Sequence, residues 1–450
     1  MGRGPPLLMN TFDNITAPAS AVGGAVTVIR ISGPDALAIG NKVWQGKVPL
    51  SSANRRKMLL GTAGNDQTLA VYMQGPNSYT GDDVVELQCH GGTAAANTIL
   101  GLLLEAGCRM AEPGEFTFRA FANGKLDLVQ AEAVADIISA GSELAYRTAE
   151  KQLAGSLSGK LQAIRKELVD LRAESESHLD FPDEELAWDE HVSDRIRAVM
   201  EQIERLLRTA SFGQSLREGV RLALAGRPNA GKSSLLNTLL GYDRAIVTDI
   251  AGTTRDTLEE QTSLRNIPVR ITDTAGLRES DDVVEQLGVE RSRQSIAASE
   301  ITFYLLDASA EDLAAEMEQM LQTPAPNRIA VWNKCDLAAE RKLPEVDGVC
   351  VCISAKTGEG IEALLDAFVK VLTGSDRVAE PEVAVNARHR KELESALAEL
   401  PTAIERFEDG EYELASPHLR AAADAIGNIT GETVSPDILD NIFSRFCIGK

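Results

Sequence analysis

A glycine-rich loop at residues 226–234 has the residue types and spacing that bind phosphates. It reads Gly-Arg-Pro-Asn-Ala-Gly-Lys-Ser-Ser and follows the apolar run at 220–225. Its glycines let successive backbone N–H groups turn toward one point, the Lys232 amine can reach β and γ phosphates, and the Ser233 hydroxyl can bind Mg²⁺. Leucines recur at helical spacing over 235–240, so the phosphates would lie at a helix N-terminus, where the helix dipole favours anions. The loop predicts these nucleotide contacts: Asn229, Ala230, Gly231, Lys232, Ser233 and Ser234.

Three further motifs follow in the order of a guanine-nucleotide switch protein. Asp-Thr-Ala-Gly at 273–276 ends a predicted strand and would place a carboxylate near Mg²⁺. Upstream, we assign Thr254 to bind Mg²⁺ only while the γ-phosphate is present. Asn-Lys-Cys-Asp at 333–336 and Ser-Ala-Lys at 354–356 each end another predicted strand. The predicted contacts are Gly252, Thr253, Thr254, Asp273, Thr274, Ala275, Gly276, Asn333, Lys334, Asp336, Ser354, Ala355 and Lys356.

The pair Asn333 and Asp336 predicts which base is bound. A carboxylate accepts hydrogen bonds from both N1–H and the exocyclic amine of guanine, whereas adenine would present an acceptor to the Asp336 charge. An unmet hydrogen bond to a charged group costs a few kcal/mol, which corresponds to orders of magnitude in preference. The motifs therefore predict a GTP-binding domain.

The residue after the switch glycine departs from the pattern of Ras. Ras-like enzymes place a glutamine there to orient the attacking water, and this chain has Leu277. Leucine cannot orient water, so either hydrolysis is slow or another group aligns the water and another cation replaces an arginine finger. The candidate water-positioning acids are Glu279, Asp281, Asp282 and Glu285.

Length and composition set the broad class. A chain of 450 residues with 44% hydrophobic and 25% charged residues predicts a globular protein of two to four domains. The net charge of −22 argues against indiscriminate nucleic-acid binding. The six cysteines have no C-x-x-C spacing, and no apolar run is long enough for a membrane span or a signal peptide. We therefore expect reduced thiols and a cytoplasmic protein.

Residues up to about 125 mix predicted strands and helices. The runs at 26–32 and 84–90 are rich in β-branched residues and end near glycines, and Glu-Pro-Gly-Glu at 112–115 precedes a predicted helix. This pattern predicts an α+β domain. Pattern alone favours surface charges on an edge strand over a ligand site for Arg30 and Glu86.

Helical periodicity dominates on both sides of the nucleotide motifs. Apolar residues recur every three or four positions at 153–171, 196–207, 393–407 and 419–429. We expect these segments to share one bundle into which the nucleotide domain is inserted. The predicted fold is therefore multidomain, with an α+β domain at 1–125, an all-α helical-bundle domain at 126–218 and 377–450, and an inserted α/β P-loop GTPase (Ras-like) domain at 219–376.

Six short motifs lie outside the nucleotide loops: Ile-Arg-Ile-Ser-Gly-Pro at 29–34, Ser-Tyr-Thr-Gly-Asp-Asp at 78–83, His-Gly-Gly at 90–92, Ala-Glu-Pro-Gly-Glu-Phe-Thr at 111–117, Asn-Gly-Lys-Leu-Asp-Leu at 123–128, and Cys-Ile-Gly-Lys at 447–450. Through them the chain resembles the tRNA modification GTPases of the MnmE or TrmE family over nearly its whole length. One departure is the turn at 21–25, which lacks the arginine that many relatives carry there.

The resemblance implies a reaction and its partners. Family members dimerise through an N-terminal domain that binds a folate, such as 5-formyl-tetrahydrofolate. With an FAD-dependent partner of the GidA or MnmG type, in a heterotetramer, they add an aminomethyl or carboxymethylaminomethyl group to C5 of the wobble uridine of certain tRNAs. GTP, Mg²⁺ and K⁺ are the remaining cofactors that it implies.

The resemblance also assigns roles to individual residues. It places Arg30, Glu86, Lys125 and Lys450 at the folate, and it makes Glu285 the acid that positions the attacking water. This assignment reverses the preference for surface charges at Arg30 and Glu86. Cys447 matches a cysteine proposed to act in the modification, with a thiol packed under the chain end as the alternative. The resemblance implies that K⁺ is bound by Asn229 of the phosphate loop together with Thr248, Ile250 and Thr253 of the loop before Thr254. Asp249, Ala251 and Gly252 of that second loop are further predicted cofactor contacts.

A GTP-dependent ribosome-assembly factor is the alternative function. Such proteins share the guanine-nucleotide motifs and often the hydrophobic residue at the position of Leu277. They usually carry a basic RNA-binding module, however, and this chain is acidic. Residues 1–125 and the final Cys-Ile-Gly-Lys favour the tRNA modification enzyme.

Overall fold

The structure, a computed structural model, describes residues 12–180, 191–242, 259–273, 294–339, 341–375 and 380–450, without the side chains of 177–180, 259 and 273. The chain divides into two compact units. The first comprises Met1–Ala135, Ser158–Ser193 and Ala398–Lys450, and the second comprises Asp136–Leu157 and Asp194–Leu397. The predicted domain boundaries and the single helical bundle stay predictions.

In the described part of the first unit, seven strands form one mixed sheet in the order β3-β4-β5-β6-β2-β1-β7. The strands β2 and β6 pair in antiparallel register, with Arg30 opposite Glu86. Both strands are internal, so the expectation that these two charges lie on an edge strand was wrong. The strands are β1 Ile15–Pro18, β2 Val26–Ser32, β3 Trp44–Gly46, β4 Leu59–Ala63, β5 Asp66–Met73, β6 Val84–His90 and β7 Arg109–Met110.

Two helices cover one face of this sheet. Alternate residues of β2 and β6, such as Ile29 and Leu87, are fully buried and pack in one core with Ile39 and Ile99 from the helices. The period of two in these strands thus separates a buried face from a face that carries Arg30 and Glu86. The helices of this region are α1 Ala36–Val43, α2 Thr93–Glu105, α3 Glu115–Ala122 and α4 Leu128–Ser139.

The predicted helix at 153–171 is two helices. Leu153 ends the first of them, and Gly155, at φ 94°, interrupts the chain before the second begins at Ser156. A left-handed residue cannot continue a right-handed helix, which explains the break. The remaining positions of the stripe, from Leu157 to Leu171, are buried as predicted. These helices are α5 Glu143–Leu153, α6 Ser156–Asp180, α7 Val192–Arg208 and α8 Ala210–Glu218.

The described strands of the second unit form a six-stranded sheet in the order β13-β12-β11-β8-β10-β9. All neighbours pair in parallel except β9 with β10. This is the predicted α/β P-loop architecture, in which the carboxyl ends of the parallel strands share one edge. Its elements are β8 Val220–Gly226, α9 Lys232–Tyr242, β9 Glu259–Leu264, β10 Ile267–Asp273, β11 Ile301–Asp307, α10 Leu313–Gln322, β12 Arg328–Asn333, β13 Val349–Cys352 and α11 Ile361–Thr373.

Three helices end the chain, and the predicted apolar stripes face inward. Leu393, Leu400 and Phe407 are buried along the first of them, as are Leu419 and Ile426 along the second. No helix among the described residues is long and apolar enough to cross a membrane. The three helices are α12 Ala387–Glu408, α13 Tyr412–Thr430 and α14 Pro436–Phe443.

Candidate functional site

The phosphate loop lies between β8 and α9, as the sequence predicts. The Lys232 amine is buried and donates to the carbonyl oxygens of Gly226 at 2.8 Å and Arg227 at 2.9 Å. Through these two bonds the start of the loop folds back onto the Lys232 side chain at the start of α9. Asn229, at φ 60°, and Ser233 are exposed on the same loop, and each carries a side-chain oxygen of the kind that cations bind.

Asn333 ties the phosphate loop to the second base motif. Its side-chain amide donates to the carbonyl of Ala230 at 2.8 Å, and its side-chain oxygen accepts from the N–H of Ala355 at 3.0 Å. Gly231, at φ 97°, makes room for this amide, because a Cβ there would lie 2.1 Å from the Asn333 nitrogen. The sequence predicted that Asn333 contacts the base, but it did not reveal that this buried side chain joins three motifs.

Lys334 is held by an acid that sequence analysis missed. Its amine donates to Asp307 at 2.6 Å, while the other oxygen of Asp307 accepts from the N–H and the hydroxyl of Ser309. Burial by itself raises the pKa of the Asp307 carboxyl, but the bonds from Lys334 and Ser309 bring that pKa below its usual range. Asp307 ends β11, and its position at the carboxyl end of a parallel strand is the signal that could have identified it.

A second missed acid, Glu316, connects the phosphate loop to Asp307. Glu316 is only 3% exposed, and its two oxygens accept from the Arg227 guanidinium at 3.0 Å and from the N–H of Asp307 at 3.2 Å. Arg227 lies in the phosphate loop, and Asp307 holds Lys334 of the base motif. A continuous chain of polar contacts therefore joins the phosphate loop to the base motif.

Asp336 is exposed in a single 3₁₀ turn, Cys335–Leu337, and lines an open cavity of about 690 Å³ with Ser309, Leu337 and Arg341. Arg341 donates to the carbonyls of Ala308, Ala310 and Glu311, which orders the opposite wall. The cavity leaves the Asp336 carboxylate accessible to a ligand.

Several predicted contacts lie outside the described residues. These are Thr248, Asp249, Ile250, Ala251, Gly252, Thr253, Thr254, Thr274, Ala275, Gly276 and Glu285, together with the other candidate acids Glu279, Asp281 and Asp282. The backbone of Asp273 pairs with Leu224 of β8, so the predicted Mg²⁺ acid ends the strand beside the phosphate loop. Within the described ranges, no group of three acidic, His or Cys side chains is arranged to hold a metal.

The opposite face of the first unit's sheet carries a second concentration of charge. Arg30 donates to Glu86 at 2.9 Å, and the two side chains are only 15% and 18% exposed. The Arg30 guanidinium also lies over the rings of Tyr79 and Phe116, at 5.0 and 5.4 Å from their centroids. Burial raises the pKa of the Tyr79 hydroxyl, which is hydrogen-bonded to Thr117 at 2.8 Å.

Tyr79 also lines an open cavity of about 440 Å³ with Arg56, Val71, Ser78 and Lys125. Val71 is the register partner of Glu86, so the cavity adjoins the ion pair of Arg30 and Glu86. The Lys125 amine donates to the carbonyl of Pro76 at 2.8 Å. Three of the four predicted folate residues, Arg30, Glu86 and Lys125, are thus in or beside one cavity.

The chain end reaches the same region. The N–H of Phe116 donates to the carbonyl of Lys450 at 3.2 Å, and Phe116 is the ring beneath Arg30. Gly449, at φ 97°, passes so close to the backbone of Pro18 that a Cβ would lie 1.9 Å from its carbonyl oxygen. Cys447 is exposed near the chain end.

Comparison with known proteins identifies the family. The family profile of the MnmE helical domain matches residues 128–447, and that of the GTP-binding protein TrmE N-terminus matches residues 14–125. The tRNA modification GTPase MnmE of Symbiobacterium thermophilum is 43% identical, covering 97% of this chain and 99% of its own length. The tRNA modification GTPase MnmE of Akkermansia muciniphila is 42% identical, covering 97% of this chain and 98% of its own length. The chain belongs to the MnmE family.

Membership in the MnmE family establishes the general function of the protein. The protein is a GTP-hydrolysing enzyme that acts in tRNA modification, and the alternative of a ribosome-assembly factor is set aside. Among solved structures, Era from Aquifex aeolicus is 30% identical over 36% of this chain and 59% of its own, with a TM-score of 0.26.

Proposed function

We propose that the protein modifies C5 of the wobble uridine of certain tRNAs. Together with an FAD-dependent partner of the GidA or MnmG type, a homodimer would add a carboxymethylaminomethyl or aminomethyl group in the cytoplasm. A tetrahydrofolate, such as the 5-formyl derivative, would supply the carbon. The cavity beside Arg30 and Glu86 is the observation that carries this proposal, because it combines the groups that a folate requires.

The residues around that cavity match the chemistry of a folate. The cations Arg56 and Lys125 suit the carboxylates of the glutamate tail, and the Tyr79 ring suits a flat heterocycle. Glu86 offers a carboxylate that can accept from the N–H groups of a pterin, while Arg30 compensates its charge.

Cys447 is the thiol we assign to the modification. It is exposed and lies three residues before Lys450, whose carbonyl is bonded to Phe116 beneath Arg30. An accessible thiol near the one-carbon donor can act as a nucleophile or orient the reacting group.

Two variants test these roles in one experiment, the nucleoside analysis of tRNA from cells that produce only the variant. Glu86→Gln should weaken binding of 5-formyl-tetrahydrofolate about tenfold, the value of one hydrogen bond to a charged group, and reduce wobble modification. Cys447→Ser should abolish wobble modification while folate and GTP affinities stay at wild-type values, because a hydroxyl is far less nucleophilic than a thiol.

Matched controls separate these effects from damage to the fold. Asp66→Asn makes the same acid-to-amide change on the same sheet, where Asp66 bonds His90, and should leave folate binding unchanged. Unmodified wobble positions must also appear when the gene is deleted. Normal modification by the Cys447→Ser variant would refute the thiol's role, and wild-type folate affinity of the Glu86→Gln variant would refute the proposed cavity.

We also propose K⁺ as the cation that replaces an arginine finger. The exposed Asn229 on the phosphate loop supports this, since its side chain carries an oxygen of the kind that K⁺ binds. Replacing KCl by NaCl should lower the GTPase rate at least tenfold, because the smaller Na⁺ fits poorly among ligands spaced for K⁺. The measurement is the steady-state rate at constant ionic strength, and equal rates in both salts would contradict the proposal.

A further inference from the structure

Three of the six cysteines gather beside the base motifs of the second unit. Cys350 and Cys352 are both exposed on β13, which is an edge strand. They are two residues apart, so they share one face of the strand. Cys335 is half-buried in the turn between Lys334 and Asp336.

The backbone holds Cys335 against the end of β13. Its N–H donates to the carbonyl of Ile353 at 3.1 Å, and its thiol donates to the carbonyl of Trp332 at 3.3 Å. Trp332 is the register partner of Cys352. Cys335 is thus hydrogen-bonded to the residue next to Cys352, and the Cys352 side chain is close enough to contribute to the raised pKa of Cys335.

Core packing does not explain this pair. The half-buried Cys335 side chain packs against the apolar cluster that contains Trp332. Cys352, however, is exposed on an edge strand, where a thiol gives little stabilisation. A metal site is not an explanation either, because the described cysteines, histidines and acids form no group of three that could hold a metal.

We propose that Cys352 and Cys335 form an oxidative modification site for a low-molecular-weight disulfide, and that the resulting Cys335–Cys352 disulfide weakens guanine-nucleotide binding. This inference rests on the predicted guanine-nucleotide site and adds a redox input to it.

The reaction is a pair of thiol–disulfide exchanges. The thiolate of the exposed Cys352 attacks one sulfur of the small disulfide, forms a mixed disulfide and releases one small thiolate. Cys335, as the thiolate, then attacks the Cys352 sulfur and releases the second. Two protein thiols are oxidised, one small disulfide is reduced to two thiols, and two protons leave the protein.

The environment of Cys335 sets the pace of the second step. Burial, together with the neighbouring Cys352, raises the pKa of Cys335 to about 11. Burial continues to disfavour the Cys335 thiolate after Cys352 has reacted, so ring closure is slow at pH 7 and accelerates as pH rises. Exposure makes Cys352 the first sulfur to react.

The disulfide would reach the nucleotide through the turn that carries Asp336. A sulfur–sulfur bond is about 2.05 Å long, far shorter than any contact between two free thiols, so the Cys335 turn must shift toward β13. Cys335 is directly bonded to Lys334 and to Asp336 in the chain, and Lys334 is fixed on the other side by Asp307. The turn cannot move as one piece, and the alignment of Asp336 is lost.

The test uses the full-length protein and oxidised glutathione as the probe. Reduced and oxidised samples are titrated with a fluorescent GDP analogue, and peptide mapping by mass spectrometry identifies the linked cysteines. We expect a Cys335–Cys352 disulfide, about tenfold weaker GDP binding, full reversal by a thiol reductant, and faster formation at pH 8.5 than at pH 7. Binding by the reduced protein tests the base site separately from the redox proposal.

Serine variants distinguish this pair from the neighbouring thiol. Cys352→Ser should keep its affinity after oxidation, whereas Cys350→Ser should lose affinity as wild type does. The proposal is overturned if the oxidised Cys352→Ser protein still loses affinity, or if glutathione stays on Cys352 without closing to Cys335. It is also overturned if the disulfide forms and GDP affinity stays within twofold of the reduced value.

Discussion

Asp336→Asn should lower GTP affinity about 10²- to 10³-fold while raising affinity for xanthosine triphosphate. The Asp336 side chain is exposed on its turn and lines an open cavity, so nothing in the described protein competes with the base for its oxygens. An amide loses the charge behind both hydrogen bonds and sets a donor against the amine of guanine, a combined loss of about 3–4 kcal/mol. Xanthine carries an oxygen at that position and accepts from the amide. Equilibrium titrations with both nucleotides measure the switch.

Asp347→Asn is the control, since it removes the same charge from an exposed loop of the same unit. Its GTP affinity should match wild type. If the Asp336→Asn variant binds GTP within threefold of wild type, which is well under one hydrogen bond, Asp336 does not read the base.

Glu285→Ala should reduce kcat for GTP hydrolysis about 10²- to 10⁴-fold with nearly unchanged GTP affinity. Leucine at 277 leaves the attacking water without the glutamine of Ras, and Glu285 is the acid to which the resemblance assigns this task. A group that positions water acts mainly in the transition state, so its loss falls on kcat rather than on binding. Single-turnover hydrolysis measures the effect on the chemical step, and a separate equilibrium titration measures the effect on GTP affinity.

Glu318→Ala, which removes an exposed acid from α10, provides the comparison and should hydrolyse GTP at the wild-type rate. A Glu285→Ala rate within twofold of wild type would show that Glu285 does not position the water. The remaining candidates for that role would be Glu279, Asp281 and Asp282.

The nucleotide domain was predictable because its chemistry is local in sequence. A phosphate loop needs its glycines and lysine within nine residues, and the structure places residues 226–234 between a strand and a helix as predicted. The apolar stripes of α6, α12 and α13 were predictable for a similar reason, since a buried face repeats with the period of the helix.

The missed residues act through long-range contacts. Asp307 and Glu316 are ordinary acids in sequence, and their importance depends on Lys334 and Arg227, which lie 27 and 89 residues away from them. The internal position of Arg30 was also missed, because strand order is not encoded in the pattern of one strand. Which strands pair depends on packing across the whole sheet. Only the structure therefore revealed that β2 is hydrogen-bonded on both sides, to β6 and to β1.

The close approach of Gly231 and Asn333 has an evolutionary consequence. Any side chain at 231 would enter the space of the Asn333 amide, and a different residue at 333 would leave the Ala230 carbonyl and the Ala355 N–H without their partner. A substitution at either position is therefore harmful by itself, and a change at the other could compensate only by rebuilding both bonds. The two loops are separated by about a hundred residues of chain. We nevertheless expect positions 231 and 333 to change together in evolution or not at all.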